Sequence, residues 1–132
     1  MSLLHISDVP VGGESPLILI AGPCQVEGLD HALMCAERLS AMARDAGMGF
    51  VYKSSYDKAN RTSANAARGV GMEEGLRIFE AVKNAFGCPV LSDVHLPEQC
   101  APAAEVIDVL QVPAFLCRQT DLLLAAAATG AA

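Results

Sequence analysis

Four short apolar runs recur along this chain, and longer segments with helical spacing of apolar residues separate them. Each run is continuous rather than alternating, which is typical of a parallel strand buried on both faces. We therefore expect four buried strands, at residues 17–21, 49–52, 89–91 and 106–112.

The segments between these runs predict helices. Residues 29–46 carry an apolar stripe and are followed by Gly47, and residues 72–86 repeat the pattern before Gly87. Glycine is the usual residue just past a helix end. Both segments therefore predict surface helices packed on the sheet.

Two further helices are predicted less sharply. One begins at Pro97, where a missing amide donor is harmless, and Pro102 should shorten or kink it. The leucine- and alanine-rich residues 118–128 form the other, with a break at residues 129–130. Strand and helix thus alternate four times, which favours an α/β fold with a parallel sheet and right-handed crossovers.

The opening residues fall outside this repeat. Residues 3–13 look like a small hairpin or plug, so we divide one domain, residues 1–132, into a hairpin at 1–15 and β/α repeats at 16–132. A hydrophobic content of 52% supports a buried core. There is no secretory pattern, no apolar run of membrane length and no C-x-x-C pair among five cysteines. We expect a cytoplasmic protein that does not bind membranes.

Charge is distributed unevenly. The formal net charge is −6, yet residues 53–68 hold four of the nine basic residues and a single acid, Asp57. This local reversal predicts recognition of a phosphate or carboxylate, while the surrounding negative field disfavours nucleic acid. A solvated charged loop is the plainer interpretation.

Polar residues able to do chemistry follow the ends of all four predicted strands. The carboxyl ends of parallel strands form the edge where active sites are built. A dinucleotide site is disfavoured because the glycines near Gly69 lack the required spacing, and a phosphate-binding P-loop motif is absent. A flavodoxin-like parallel sheet remains an alternative on this pattern. The residues at this edge are Cys24, Gln25, the segment from Lys53 to Thr62, Asp93, His95 and Gln111.

Four motifs converge on one family. They are Ala21-Gly-Pro-Cys-Gln25, Asp57-Lys-Ala-Asn-Arg-Thr-Ser63, Ser92-Asp-Val-His95 and Gln111-Val-Pro-Ala-Phe-Leu-Cys-Arg-Gln-Thr-Asp121. Together they resemble 3-deoxy-D-manno-octulosonate 8-phosphate synthase. The related heptulosonate 7-phosphate synthase typically has K-P-R-T-S at the second motif, so Asn60 favours the octulosonate enzyme. The resemblance implies a (β/α)8 TIM barrel, of which this chain covers about the first four β/α units.

The resemblance also implies an activity. The family condenses phosphoenolpyruvate with D-arabinose 5-phosphate, releases phosphate and serves lipopolysaccharide biosynthesis. It implies a homo-oligomer, a tetramer for the full enzyme, and half a barrel should be inactive alone. The alternatives are the heptulosonate synthase, which uses erythrose 4-phosphate, and a noncatalytic half-barrel that binds phosphosugars.

Roles for individual residues follow from motif position. Arg118 resembles an arginine that reaches a neighbouring subunit's sugar-phosphate site; otherwise it is a solvated arginine in a helix's first turn, where a cation opposes the helix dipole. Without the resemblance, Asp93 is a strand-end cap, Gln111 a satisfied polar side chain and His95 an exposed loop imidazole. The implied catalytic residues are Lys53, Lys58 and Asp93, and the implied substrate-binding residues are Asn60, Arg61, Thr62, His95, Gln111 and Arg118.

Cys24 stands where the family divides into a metal-dependent class with cysteine and a metal-independent class with asparagine. The resemblance therefore implies a divalent metal (zinc, iron or manganese), which could orient or polarise an aldehyde or a water. The other family ligands lie in the half of the barrel that this chain lacks. Taken alone, Cys24 is a small buried hydrophobe.

Overall fold

The computed structural model describes residues 3–58 and 68–132. Hairpin strands β1 and β2 precede a unit repeated four times, in which a strand leads into a helix. The bounds are β1 Leu4–Ile6, β2 Val9–Val11, β3 Ile18–Ala21, α1 Leu29–Asp45, β4 Gly49–Lys53, α2 Met72–Phe86, β5 Val90–Asp93, α3 Pro97–Ala104, β6 Val109–Gln111, a 3-10 turn Ala114–Leu116 and α4 Thr120–Ala128.

The main sheet has the strand order β3-β4-β5-β6, and all three pairings are parallel. Neighbours in sequence are therefore neighbours in space, which is the order of consecutive strands in a (β/α)8 barrel. The predicted α/β fold class is confirmed. Within the described ranges, 3–58 and 68–132, no helix is both long and apolar enough to cross a membrane.

Two apolar clusters lie on opposite faces of this sheet. The larger cluster joins the sheet to the helices and includes Tyr52, Phe79 and Val90. The smaller one joins Val51 and Leu91 to Ile6 of the hairpin. The hairpin thus packs against the face of the sheet that points away from the helices.

Helices α1 and α2 match their predictions closely. Helix α2 ends where Gly87 takes a left-handed conformation, with φ of 64°. That conformation costs glycine little and other residues more, which is why this glycine stops the helix. In the first turn of the same helix, a Cβ on Gly75 would lie 2.4 Å from Cβ of Tyr56, so α2 packs directly on the loop after β4.

Three local predictions are wrong. Strand β3 is not buried on both faces, since Ile20 is 44% exposed on an edge strand of the sheet. Strand β6 starts only at Val109, because the backbone amides of Val106 and Ile107 bond back to Ala103. Helix α4 begins at Thr120, after the 3-10 turn, so Arg118 lies before the helix and the dipole argument does not apply to it.

Candidate functional site

The strand register places three of the predicted site residues on one face of the sheet. Lys53 pairs with Leu91, and Asp93 pairs with Gln111. Because side chains alternate along a strand, Asp93 points to the same side as Leu91, two residues earlier. Lys53, Asp93 and Gln111 therefore share the face of the smaller apolar cluster, at the carboxyl end of the strands.

The loops after β3 and β4 are locked together. A Cβ on Gly22 would lie 1.8 Å from the carbonyl oxygen of Lys53, so only glycine fits there. The Ser54 hydroxyl donates to the carbonyl of Pro23 at 2.9 Å, and the amide of Val26 donates to the carbonyl of Ser55 at 2.9 Å. Cys24 lies in this anchored loop and is exposed, which contradicts the buried role it would have as a packing residue.

The basic segment at residues 53–68 is partly neutralised by its own acidic residue, Asp57. Arg68 donates to both carboxylate oxygens of Asp57, at 2.8 and 2.6 Å. This hydrogen bonding lowers the pKa of Asp57 below its usual range. Asp57 thus engages Arg68 rather than a lysine, and Lys58 bonds instead to the Ser55 hydroxyl at 2.8 Å. Asn60, Arg61 and Thr62 lie outside the described residues.

Asp93 and His95 form a nearly buried pair. Nε2 of His95 lies 2.9 Å from Oδ2 of Asp93, and the two side chains are 8% and 9% exposed. Burial by itself raises the pKa of a carboxyl group, but the hydrogen bond to His95 opposes it and holds the pKa of Asp93 below its ordinary value. Asp93 is therefore a carboxylate at neutral pH, and the interpretation of His95 as an exposed loop imidazole is wrong.

Both members of this pair keep an unused polar atom. Oδ1 of Asp93 and Nδ1 of His95 are buried and have no hydrogen-bond partner within residues 3–58 and 68–132. Buried polar atoms in native proteins are normally paired. Two such atoms at the carboxyl edge of the sheet are candidates for hydrogen bonds to a polar ligand.

Tyr56 and Gln99 complete the surroundings of His95, and the sequence analysis missed both. The Tyr56 ring meets the His95 ring edge to face, with centroids 6.1 Å apart. The Gln99 side chain accepts from the amides of His95 and Leu96 and from the Tyr56 hydroxyl. A glutamine in the first turn after the helix start is a known capping signal, so Gln99 could have been noticed from the sequence.

A cavity of about 310 Å3 opens between the loop after β5 and the start of α4. His95, Leu116 and Gln119 are among its lining residues. Arg118 adjoins this lining in the sequence, in the exposed stretch between the 3-10 turn and α4. Arg118 is therefore exposed and lies outside a helix, next in sequence to the cavity-lining residue Gln119.

Of the metal ligands that the family resemblance implies, this chain supplies one candidate, Cys24. Cys24 is exposed at the carboxyl edge of β3, where a thiolate could reach a metal. In the part of the chain that the structure describes, no three His, Cys, Asp or Glu residues cluster as a metal site would require. One thiol therefore fits as a single ligand and needs partners from elsewhere.

Comparison with known proteins gives consistent matches. The profile of the DAHP synthetase I family matches residues 2–132. Proteins named 2-dehydro-3-deoxyphosphooctonate aldolase are 56% identical over 128 residues in Rickettsia bellii, 59% over 127 in Bartonella bacilliformis and 58% over 130 in Methylobacterium radiotolerans. These alignments cover 96–98% of this chain but only 45–47% of each relative. The chain thus spans about half the length of the curated relatives it matches.

Proposed function

The chain belongs to the DAHP synthetase I family, and from this premise we propose that it supplies half of the active site of an enzyme that condenses phosphoenolpyruvate with D-arabinose 5-phosphate. The products are 3-deoxy-D-manno-octulosonate 8-phosphate and inorganic phosphate, and the product serves lipopolysaccharide biosynthesis in the cytoplasm. The relatives that carry the name 2-dehydro-3-deoxyphosphooctonate aldolase support this choice.

One structural observation carries the proposal. Lys53, Asp93 and Gln111 share one face at the carboxyl end of three adjacent parallel strands. Both substrates are anions with several hydroxyl or carbonyl oxygens, so a site that holds them needs cations beside hydrogen-bonding groups. This edge offers both, with Lys58 on the adjoining loop.

The chemistry assigns tasks to these residues. C3 of the enolpyruvate attacks the sugar aldehyde, a new carbon–carbon bond forms, and water adds at C2 before phosphate departs with its bonding electrons. Fixed positive charge at Lys53 and Lys58 would hold the carboxylate and phosphate and stabilise charge that develops on oxygen. Asp93, His95 and Gln111 would orient sugar hydroxyls, and Asn60, Arg61 and Thr62 would receive the sugar phosphate.

Cys24 is proposed as one ligand of a divalent metal, zinc, iron or manganese. Its exposure at the carboxyl edge supports this role. When bound, such a metal would polarise the aldehyde or a water. Its remaining ligands would come from the other half of the barrel, and Arg118 of one subunit would approach a neighbour's sugar phosphate in a homo-oligomer, a tetramer for the full enzyme.

The test uses a completed barrel, defined as residues 1–132 joined to the part of the Bartonella bacilliformis relative that follows the matched region. We expect phosphate release from phosphoenolpyruvate with arabinose 5-phosphate, loss of rate on chelation, and recovery when metal is restored. The Bartonella bacilliformis relative is the positive control. Activity that survives complete chelation would remove the metal from the proposal.

The heptulosonate synthase is the second candidate, because the matching family profile carries the heptulosonate name. The same assay with erythrose 4-phosphate separates the two. A clear preference of the completed barrel for erythrose 4-phosphate would replace the octulosonate assignment.

A further inference from the structure

Gln99 is the shared acceptor of three donors from different parts of the chain. Its Oε1 lies 2.8 Å from the amide of His95, 3.2 Å from the amide of Leu96 and 3.2 Å from the hydroxyl of Tyr56. Backbone amides can only donate, so the side-chain atom that faces them must be oxygen. A single side chain therefore ties helix α3 to the loop after β5 and to the loop after β4.

The imidazole of His95 is held from several sides. Asp93 bonds its Nε2, and the Tyr56 ring lies edge-on against it. Tyr56 is itself fully buried and packs against Gly75 on α2, so its ring has little room to move. Gln99 holds both the backbone of His95 and the hydroxyl of Tyr56. Removing Gln99 would release the backbone amide of His95 and the hydroxyl of Tyr56, and would leave the contact with Asp93 as the remaining restraint on the ring.

One nitrogen of this ring, Nδ1, is buried and has no hydrogen-bond partner among residues 3–58 and 68–132. A carboxylate only accepts hydrogen bonds, so Nε2 carries the proton that it shares with Asp93. Nδ1 is then an acceptor in the neutral ring or a second donor in the charged ring. It is unpaired within the described residues, and His95 lines the cavity of about 310 Å3.

We propose that Gln99 is a positioning residue that holds His95 against Asp93 and thereby fixes the orientation of the His95 imidazole beside the proposed sugar site. The contact with substrate rests on the proposed function, whereas the restraint on His95 belongs to this chain alone. The competing explanation is that Gln99 only caps helix α3. A cap affects stability but has no reason to change the state of the His95 ring.

The first test reads the ring directly by nuclear magnetic resonance in the full 132-residue chain. A proton on Nε2 that is bonded to Asp93 and shielded from water gives a low-field signal, and His95→Gln identifies it by its loss. We expect Gln99→Met, which is similar in size but cannot accept, to broaden or abolish this signal through exchange with water. Gln99→Glu keeps acceptor oxygens at the same reach and should retain it.

The control is Thr129→Val, which removes the hydroxyl bonded to Ala126 and Ala131 at the end of α4. It also loses helix-end hydrogen bonds, but far along the chain from His95, and should leave the signal intact. A Gln99→Met protein that is folded and keeps a sharp signal overturns the proposal. Should that variant not fold, Gln99→Asn makes the same comparison with an amide one methylene too short.

The second test measures rates in the completed barrel. Misplacing a group that contacts substrate can cost up to about 100-fold, so we expect kcat/KM of Gln99→Met to fall at least about tenfold and Gln99→Glu to recover part of it. A rate within about twofold of the parent contradicts a positioning role. If the parent itself shows no condensation, the proposed function fails, while the resonance test still decides the restraint on His95.

Discussion

At the scale of the residue, the Asp93–His95 pair makes the free energy of unfolding decrease as the pH falls into the acid range. The pKa of Asp93 is lower in the folded protein than in an unfolded chain. Between the two pKa values the unfolded chain binds a proton that the folded one does not, so acid favours unfolding. The stability from Asp93 is thus complete above about pH 4 and is lost as the pH falls through the folded pKa.

We therefore expect Asp93→Asn to lower the free energy of unfolding at neutral pH and to flatten its decline in acid. Urea unfolding at about pH 6 and about pH 3 measures both effects. Glu80→Gln, on the exposed side of α2, controls for the change in net charge. If the free energy of unfolding of Asp93→Asn depends on pH in the same way as that of the parent protein, the pair does not form in solution.

At the scale of the element, Asp108 joins the hairpin to the sheet and to a helix. Its Oδ1 accepts from the hydroxyl of Ser7 at 3.1 Å and from Nζ of Lys83 at 3.0 Å, and its Oδ2 accepts from the amide of Val90 at 2.8 Å. This residue lies just before β6, at the opposite end of the strands from the candidate site. Its role is therefore structural.

We expect Asp108→Ala to lower the free energy of unfolding by about 1–3 kcal/mol, because the Val90 amide loses its side-chain acceptor and the Lys83 ammonium keeps only the carbonyl of Val106. Ser7→Ala removes only one exposed hydrogen bond and should cost less than about 1 kcal/mol. Chemical denaturation of both variants measures the difference. Equal losses in the free energy of unfolding would mean that water replaces the Asp108 carboxylate as hydrogen-bond acceptor at no cost in stability.

At the scale of the whole molecule, the four-stranded sheet leaves apolar surface uncovered in this chain. Leu17 is 79% exposed beside edge strand β3, and Phe115 is 82% exposed after edge strand β6. A sheet with uncovered edges and apolar flanks tends to pair with further protein. The surface that the rest of a barrel would cover is thus open.

We expect the 132-residue chain alone to self-associate and to release no phosphate, whereas the completed barrel does release it. Sedimentation velocity measures the association, and the phosphate assay measures turnover. A stable monomer would argue against pairing through these edges. Turnover by the chain alone would show that the second half of the barrel is not needed for chemistry.

Much of this architecture could be predicted from the sequence, and the physical reason is local. Continuous apolar runs, helical spacing and a terminating glycine report on neighbours within a few residues, which is why α2 was predicted at its observed bounds, Met72–Phe86. Alternation of strands and helices then dictates a parallel sheet with right-handed crossovers, whereas the sequential strand order, which separates a barrel from a flavodoxin-like sheet, comes from the structure. The start of α4 was predicted two residues early because Arg118 and Gln119 are good helix formers, and the preceding 3-10 turn has no clear sequence signal.

The sequence by itself determined where strands and helices lie along the chain and the kind of residue that follows each strand, because both depend on local pattern. Only the tertiary structure decided the partners: Arg68 neutralises Asp57 eleven residues away, and Gln99 holds Tyr56 from 43 residues away. Such contacts depend on how close two segments come after folding, which no local pattern records. Whether a charge near the candidate site is free or already paired is therefore a property of the fold.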